Sequence, residues 1–161
     1  MNPIQANAEK LGVILKKKKW TLSIAESCTG GMLGAAITAI SGSSEYFKGG
    51  VIAYANEIKE NLIHVPKDLL ETKGAVSAEV VEVMARGVAE LCKTQCGIAV
   101  SGIAGPDGGT DEKPVGLVFI GYYMAGATVI DTCRFSGNRE SIRRQAVEAG
   151  LTRMIEIVTG R

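Results

Sequence analysis

Three short stretches set glycines and small hydroxyl residues directly after apolar runs: Ala25-Glu26-Ser27-Cys28-Thr29-Gly30-Gly31, Ser41-Gly42-Ser43-Ser44, and Ser101-Gly102-Ile103-Ala104-Gly105-Pro106-Asp107-Gly108-Gly109. Glycine permits close backbone approach and positive φ, and a serine or threonine hydroxyl can bond a ligand or attack it. If each stretch caps a strand of one sheet, the three gather at one edge and line a pocket. Attack needs a base. The single histidine, His64, lies between Ile63 and Val65 and reads as a helix-end residue, so a serine–histidine triad is nearly excluded. A Ser-Lys pair stays open, provided partial burial or nearby cations keep the lysine neutral enough to take the hydroxyl proton. The candidate serines are Ser27, Ser43, Ser44 and Ser101. Lys59 follows Tyr54-Ala55-Asn56-Glu57, from where its side chain could turn back toward Ser44, although spacing alone reads it as a surface lysine.

Thr29-Gly30-Gly31 entering a helix suits an anion, either a phosphate or a developing oxyanion, because a helix N-terminus aims N–H groups outward. Glycines at strand ends also serve packing, so this stretch alone leaves both readings open. Neither the phosphate-loop pattern GxxxxGK[ST] nor the dinucleotide pattern GxGxxG is present, which argues against an ordinary nucleoside triphosphatase or a Rossmann dehydrogenase. Cys28 sits at the same strand-to-helix turn, where a thiol could have a lowered pKa, although a small filler residue is the plainer reading. The four cysteines have no framework spacing, and with one histidine they supply a metal site poorly. No metal and no cofactor are expected.

The elements that must position these residues follow from periodicity. Ile4, Ala8, Leu11 and Leu15 recur at helical spacing, so a helix is expected over residues 3–19. Residues 20–25 alternate as a strand, and the Gly30-Gly31 region opens a second helix through Met32, Leu33, Ala36, Ile37 and Ile40. Residues 49–54 read as a second strand. A third helix follows through Glu57, Lys59 and Leu62, and Pro66 starts a short fourth one. Ser77 is a good N-cap for a helix carrying Val81, Met84, Val88 and Leu91. Residues 97–101 read as a strand covered on both faces. Residues 115–123 and 128–135 read as strands joined by a tight turn at Ala125-Gly126, and the last helix uses Val147, Leu151, Met154 and Val158. Helices alternating with buried strands predict a three-layer α/β/α sandwich over residues 1–161, a single domain. Its central sheet is expected to be mixed and mostly parallel, with an antiparallel strand pair added late.

Composition narrows the classes further. Of 161 residues 46% are hydrophobic and 22% charged, with Lys+Arg 18 against Asp+Glu 17. That balance lacks the basic excess of a nucleic-acid binder. The one basic run, Lys16 to Lys19, falls where the first helical pattern ends and complements the helix dipole. No apolar run is long enough to span a membrane, and the N-terminus lacks a signal-peptide pattern, so a cytoplasmic protein without membrane or nucleic-acid partners is expected.

Seven stretches taken in order resemble the CinA C-terminal domain family, whose active members are nicotinamide-nucleotide amidohydrolases. They are residues 25–31, 42–44, Tyr54-Ala55-Asn56-Glu57-Ile58-Lys59, Gly74-Ala75-Val76-Ser77, residues 101–109, Lys113-Pro114-Val115-Gly116, and Phe135-Ser136-Gly137-Asn138-Arg139. The resemblance implies hydrolysis of the carboxamide of nicotinamide mononucleotide to nicotinic acid mononucleotide and ammonia, in pyridine-nucleotide recycling. By motif position it implies Ser44 as nucleophile, Lys59 as general base and Ser27 as an assisting hydroxyl, with an acyl-enzyme between two half-reactions. Thr29, Gly30, Gly31 and the backbone around Ser44 are expected to serve the oxyanion, Tyr54 the pyridine ring, and Gly102 and Gly105 the pocket wall. Arg139 and Arg143, with Arg144 as a competitor, are candidates for the phosphate. Ala55 departs from the family's more usual serine. Many members carry this domain behind a larger N-terminal one, whereas here it is expected to stand alone, as a homodimer or larger homo-oligomer. The alternatives are a non-catalytic nucleotide-binding module of the same fold and an amidohydrolase for another small carboxamide.

Overall fold

The computed structural model describes residues 1–160. Helix α1 (Pro3–Lys18) starts on Asn2, whose side chain accepts from the Gln5 N–H, and ends with Lys16, Lys17 and Lys18 facing the carbonyl end of the dipole. Strand β1 (Leu22–Glu26), helix α2 (Met32–Thr38), a 3-10 turn at Ser43–Glu45 and strand β2 (Phe47–Ile52) follow. Helices α3 (Asn56–Ile63), α4 (Lys67–Lys73) and α5 (Ala78–Cys92) come next, the last capped by Ser77. Strands β3 (Cys96–Gly102), β4 (Leu117–Met124) and β5 (Ala127–Arg134) lead into α6 (Arg139–Thr159).

The sheet runs β2-β1-β3-β4-β5, parallel across β2, β1 and β3 and antiparallel on both sides of β4. Four strands therefore share one direction and β4 runs against them. Ala125 and Gly126 join β4 to β5 with φ of 46° and 97°, the left-handed pair that a two-residue hairpin of matching twist requires. Helices α1, α2 and α6 cover one face and α3, α4 and α5 the other, which gives the expected three-layer sandwich. Helix α5 lies close on its face because Gly97 and Gly121 have no side chain; a Cβ there would meet the carbonyls of Ala85 and Val81. Among the described residues no helix is long and apolar enough to cross a membrane.

Element boundaries shift by one or two residues from the sequence expectation, and two of the shifts have a visible cause. Strand β1 starts at Leu22, not residue 20, since the Trp20 ring lies off the strand beneath the Lys18 ammonium, 5.0 Å from its centroid. Strand β2 ends at Ile52, not residue 54, because the carbonyls of Ala53 and Tyr54 turn toward the Lys59 ammonium.

Candidate active site

Because β1, β2 and β3 are parallel, their C-terminal ends meet at one edge, where open α/β sheets place ligands. Ser27 follows β1, Tyr54 follows β2, and the glycine loop from Gly102 follows β3. Strand periodicity then sorts neighbours onto opposite faces. Leu22 and Ile24 pack toward α1, α2 and α6, and Glu26 points the same way, to α2. Ser23 bonds Thr94 and Ala25 joins the α3–α5 side, so Ser27 emerges on the side of α3. That is where Lys59 reaches it.

Lys59 stands in the first turns of α3 and is 1% exposed. Its Nζ donates to Ser27 Oγ at 3.1 Å, to Ala53 O at 2.7 Å and to Tyr54 O at 3.0 Å. Burial lowers its pKa from 10.5 to about 8, since the charged form loses most of its water. A neutral amine has two hydrogens and one lone pair. The two carbonyls can only accept, so they hold the hydrogens and leave the lone pair directed at the Ser27 hydroxyl. Loss of one proton thus converts Lys59 from a donor into an acceptor aimed at Ser27.

Beside this pair opens a cleft of about 270 Å³, lined by Ser27, Cys28, Tyr54, Gly102, Gly105 and Arg139 among others. Arg139, the first residue of α6, donates to Gly105 O at 2.8 Å and to Tyr54 Oη at 3.4 Å. Among the described residues two of its five N–H groups are engaged, which leaves three for a ligand.

Not every expected residue reaches this cleft. Ser44 is exposed in the 3-10 turn before β2, at the end of the sheet where Leu22 N–H donates to Tyr46 O. Leu22 pairs with Phe47 and Glu26 with Ile52, so four strand steps, about 13 Å, lie between Ser44 and the Lys59 end. The Ser44–Lys59 pair expected from the sequence is therefore corrected: the lysine meets Ser27. Thr29 is fully buried, and Gly30 and Gly31 hold φ of 55° and 106° to turn the chain into α2; none of the three borders the cleft. The anion expected at α2 is the protein's own, because the Glu26 carboxylate accepts from Leu33 N–H at 2.9 Å and Gly34 N–H at 3.0 Å. Arg143 is spent on the loop, with Nε on Cys28 O and Nη2 on Thr29 O, both at 3.0 Å. Arg144 lines a different groove, between the starts of α1 and α6. Burial pushes the Cys28 thiol up to about 11, opposite to the lowering a reactive turn cysteine would show. Ser101 donates to Ala75 O and holds the α4–α5 connection.

Sequence reasoning missed Glu26 and the two carbonyls that clasp Lys59. A signal for the first was present. Glu26 shares the core-facing register of Leu22 and Ile24, and a charge there needs a partner. The carbonyls carry no such signal, since every residue has one.

A model of the CinA C-terminal domain matches residues 4–158 of this chain. A CinA-like protein of Dictyoglomus thermophilum is 49% identical over 130 residues, covering 81% of this chain and 32% of that protein. One of Leptospira biflexa is 46% identical over 145 residues, covering 89% of this chain and 35% of its own length. The chain thus spans about a third of the length of the curated relatives it matches. Among solved structures, a CinA superfamily protein from Klebsiella pneumoniae superimposes with TM-score 0.95 at 32% identity over 100% of both chains. A competence/damage inducible protein from Agrobacterium tumefaciens does so with TM-score 0.94 at 34% identity, over 98% of this chain and 96% of that one.

Proposed function

Because this chain belongs to the CinA C-terminal domain family, we propose that it hydrolyses the carboxamide of nicotinamide mononucleotide, with Ser27 as nucleophile and Lys59 as base. The observation that carries this reading is the buried Lys59 amine 3.1 Å from Ser27 Oγ at the edge of the cleft. Ser27 Oγ attacks the carboxamide carbon while its proton passes to Lys59 Nζ, forming a tetrahedral oxyanion. The ammonium then returns a proton to the departing nitrogen, the C–N bond breaks, and ammonia leaves an acyl-enzyme. Water repeats the cycle: Lys59 takes its proton, the hydroxyl adds to the acyl carbon, and nicotinic acid mononucleotide departs as Ser27 regains hydrogen.

The remaining groups of the cleft suit the rest of this substrate. The three free N–H groups of Arg139 match a phosphate. Tyr54, 60% exposed and bonded to Arg139, supplies an aromatic surface for the pyridinium cation. The deciding measurement is ammonia release from nicotinamide mononucleotide by wild type, Ser27→Ala, Lys59→Ala and Ser44→Ala. The reading expects turnover in wild type and Ser44→Ala only. Binding without ammonia release in wild type would make the cleft a nucleotide-binding module, and release from other carboxamides alone would reassign the substrate.

A further inference from the structure

The loop after Ser27 is wired in an order that the proposed chemistry does not by itself demand. Arg143 Nη2 donates to the Thr29 carbonyl at 3.0 Å, an oxygen that also accepts from Met32 N–H. In a trans peptide the carbonyl and the following N–H point in opposite directions. The N–H opposite the Thr29 carbonyl is that of Gly30, and it donates to Ser27 O at 3.1 Å. The N–H opposite the Ser27 carbonyl is that of Cys28. Among the described residues no other residue accepts from it, only its own thiol lies beside it, and Cys28 borders the cleft with Ser27. Two peptide units thus stand head to tail between a guanidinium and an N–H beside the nucleophile whose one neighbouring acceptor is the weakly accepting sulfur of its own residue.

We infer that Arg143 is a positioning residue that fixes and polarises this two-peptide relay, so that the Cys28 N–H serves as oxyanion donor for Ser27. The inference rests on the amidohydrolase reading above. Hydrogen bonds in series strengthen one another, and a cation at the far end adds to the positive charge at the near end. The N–H of the residue after a nucleophile is well placed for the oxyanion, as at nucleophile elbows. The second bond, from Nε to Cys28 O at 3.0 Å, keeps the next peptide from rotating. Gly30, with φ of 55°, makes the turn that closes the relay.

The test is steady-state turnover of nicotinamide mononucleotide and of its thioamide analogue by wild type, Arg143→Met and Arg143→Lys. Sulfur accepts hydrogen bonds weakly, so the thioamide gains little from the donor. With the amide, Arg143→Met is expected to lower kcat about 10- to 100-fold and to leave KM within about twofold. Arg143→Lys should recover part of the loss, and the penalty should shrink with the thioamide. Equal penalties on both substrates, or a loss confined to KM, overturn the inference. A second readout needs no turnover: the Cys28 amide proton should move upfield in Arg143→Met and return toward its wild-type position in Arg143→Lys. If wild type turns over neither substrate, the proposed activity has failed and this shift alone decides the relay, an identical shift in all three proteins overturning it. If Arg143→Met does not fold, Arg143→Lys carries both measurements against wild type, and unchanged kcat with an unchanged shift overturns the inference.

Discussion

A lysine ammonium taken out of water loses hydration that few protein groups replace, and Lys59 receives two carbonyls and one hydroxyl in exchange. Its pKa of about 8 leaves a useful fraction neutral near neutral pH. The proposed kcat/KM should therefore climb about tenfold per pH unit below about 8 and level off above it; a flat profile across that range would remove Lys59 as the base. The same shift sets a stability signature. Unfolded lysine keeps its proton up to about 10.5, whereas the folded side chain releases it at about 8. Between those values the unfolded chain binds more protons, so this group makes stability rise with pH, by up to about 3 kcal/mol. Below about 8 the full burial penalty applies. Denaturant midpoints of wild type should gain on those of Lys59→Met as pH goes from about 8 toward about 10, and parallel curves would count against the shift. The choice between Ser27 and Ser44 was open to sequence reasoning in one respect. Ser27 follows its strand and Ser44 precedes its own, and only C-terminal strand ends face the ligand edge. Proximity in sequence, 15 positions from Ser44 to Lys59 against 32 from Ser27, pointed the other way.

The strand–loop–helix unit formed by β1 and α2 shows how one element supplies what its neighbour lacks. Helix α2 has no acidic residue in its first turn, and Gly31 at its N-cap offers no side chain. Glu26 fills that role from the end of β1, its two oxygens meeting the first free N–H groups of the helix. Between these anchors runs the loop that carries Ser27. Glu26→Ala is expected to cost about 2–4 kcal/mol, since it strands two donors and empties a buried site, and to lower turnover even where folding is preserved. Urea denaturation and ammonia release under folding conditions check the two effects; an unchanged midpoint would show that water replaces the carboxylate. At this scale most of the molecule was legible from periodicity. The helical stripe of Val81, Met84 and Val88 and the paired turn residues Ala125-Gly126 carry their own signals. The close seat of α5 on Gly97 and Gly121 was not legible, because a glycine in a strand does not say which carbonyl approaches it.

Across the whole molecule, the cleft draws on both ends of the chain. Ser27 and Tyr54 come from the first two crossovers, Gly105 from the loop after β3, and Arg139 from the start of α6. Helix α6 is in turn packed against α1, which fastens the last element to the first. A ligand that bridges Arg139 and the Ser27 loop is held by contacts that exist only when all three layers are assembled. Its binding energy should then appear as stability of the entire domain. Ser27→Ala provides the test, because the proposed mechanism lets it bind nicotinamide mononucleotide without consuming it. At about 100 times Kd the ligand adds about 2.7 kcal/mol. For a chain of this size that raises the thermal midpoint by about 5–10 °C, in a single transition. Adding Arg139→Ala should remove most of that rise for the mononucleotide, yet leave any smaller rise from the dephosphorylated nucleoside unchanged. Equal losses for both ligands would place the phosphate elsewhere than Arg139. A split transition, with only one part moved by ligand, would mean that α6 does not fold as one body with the sheet it closes.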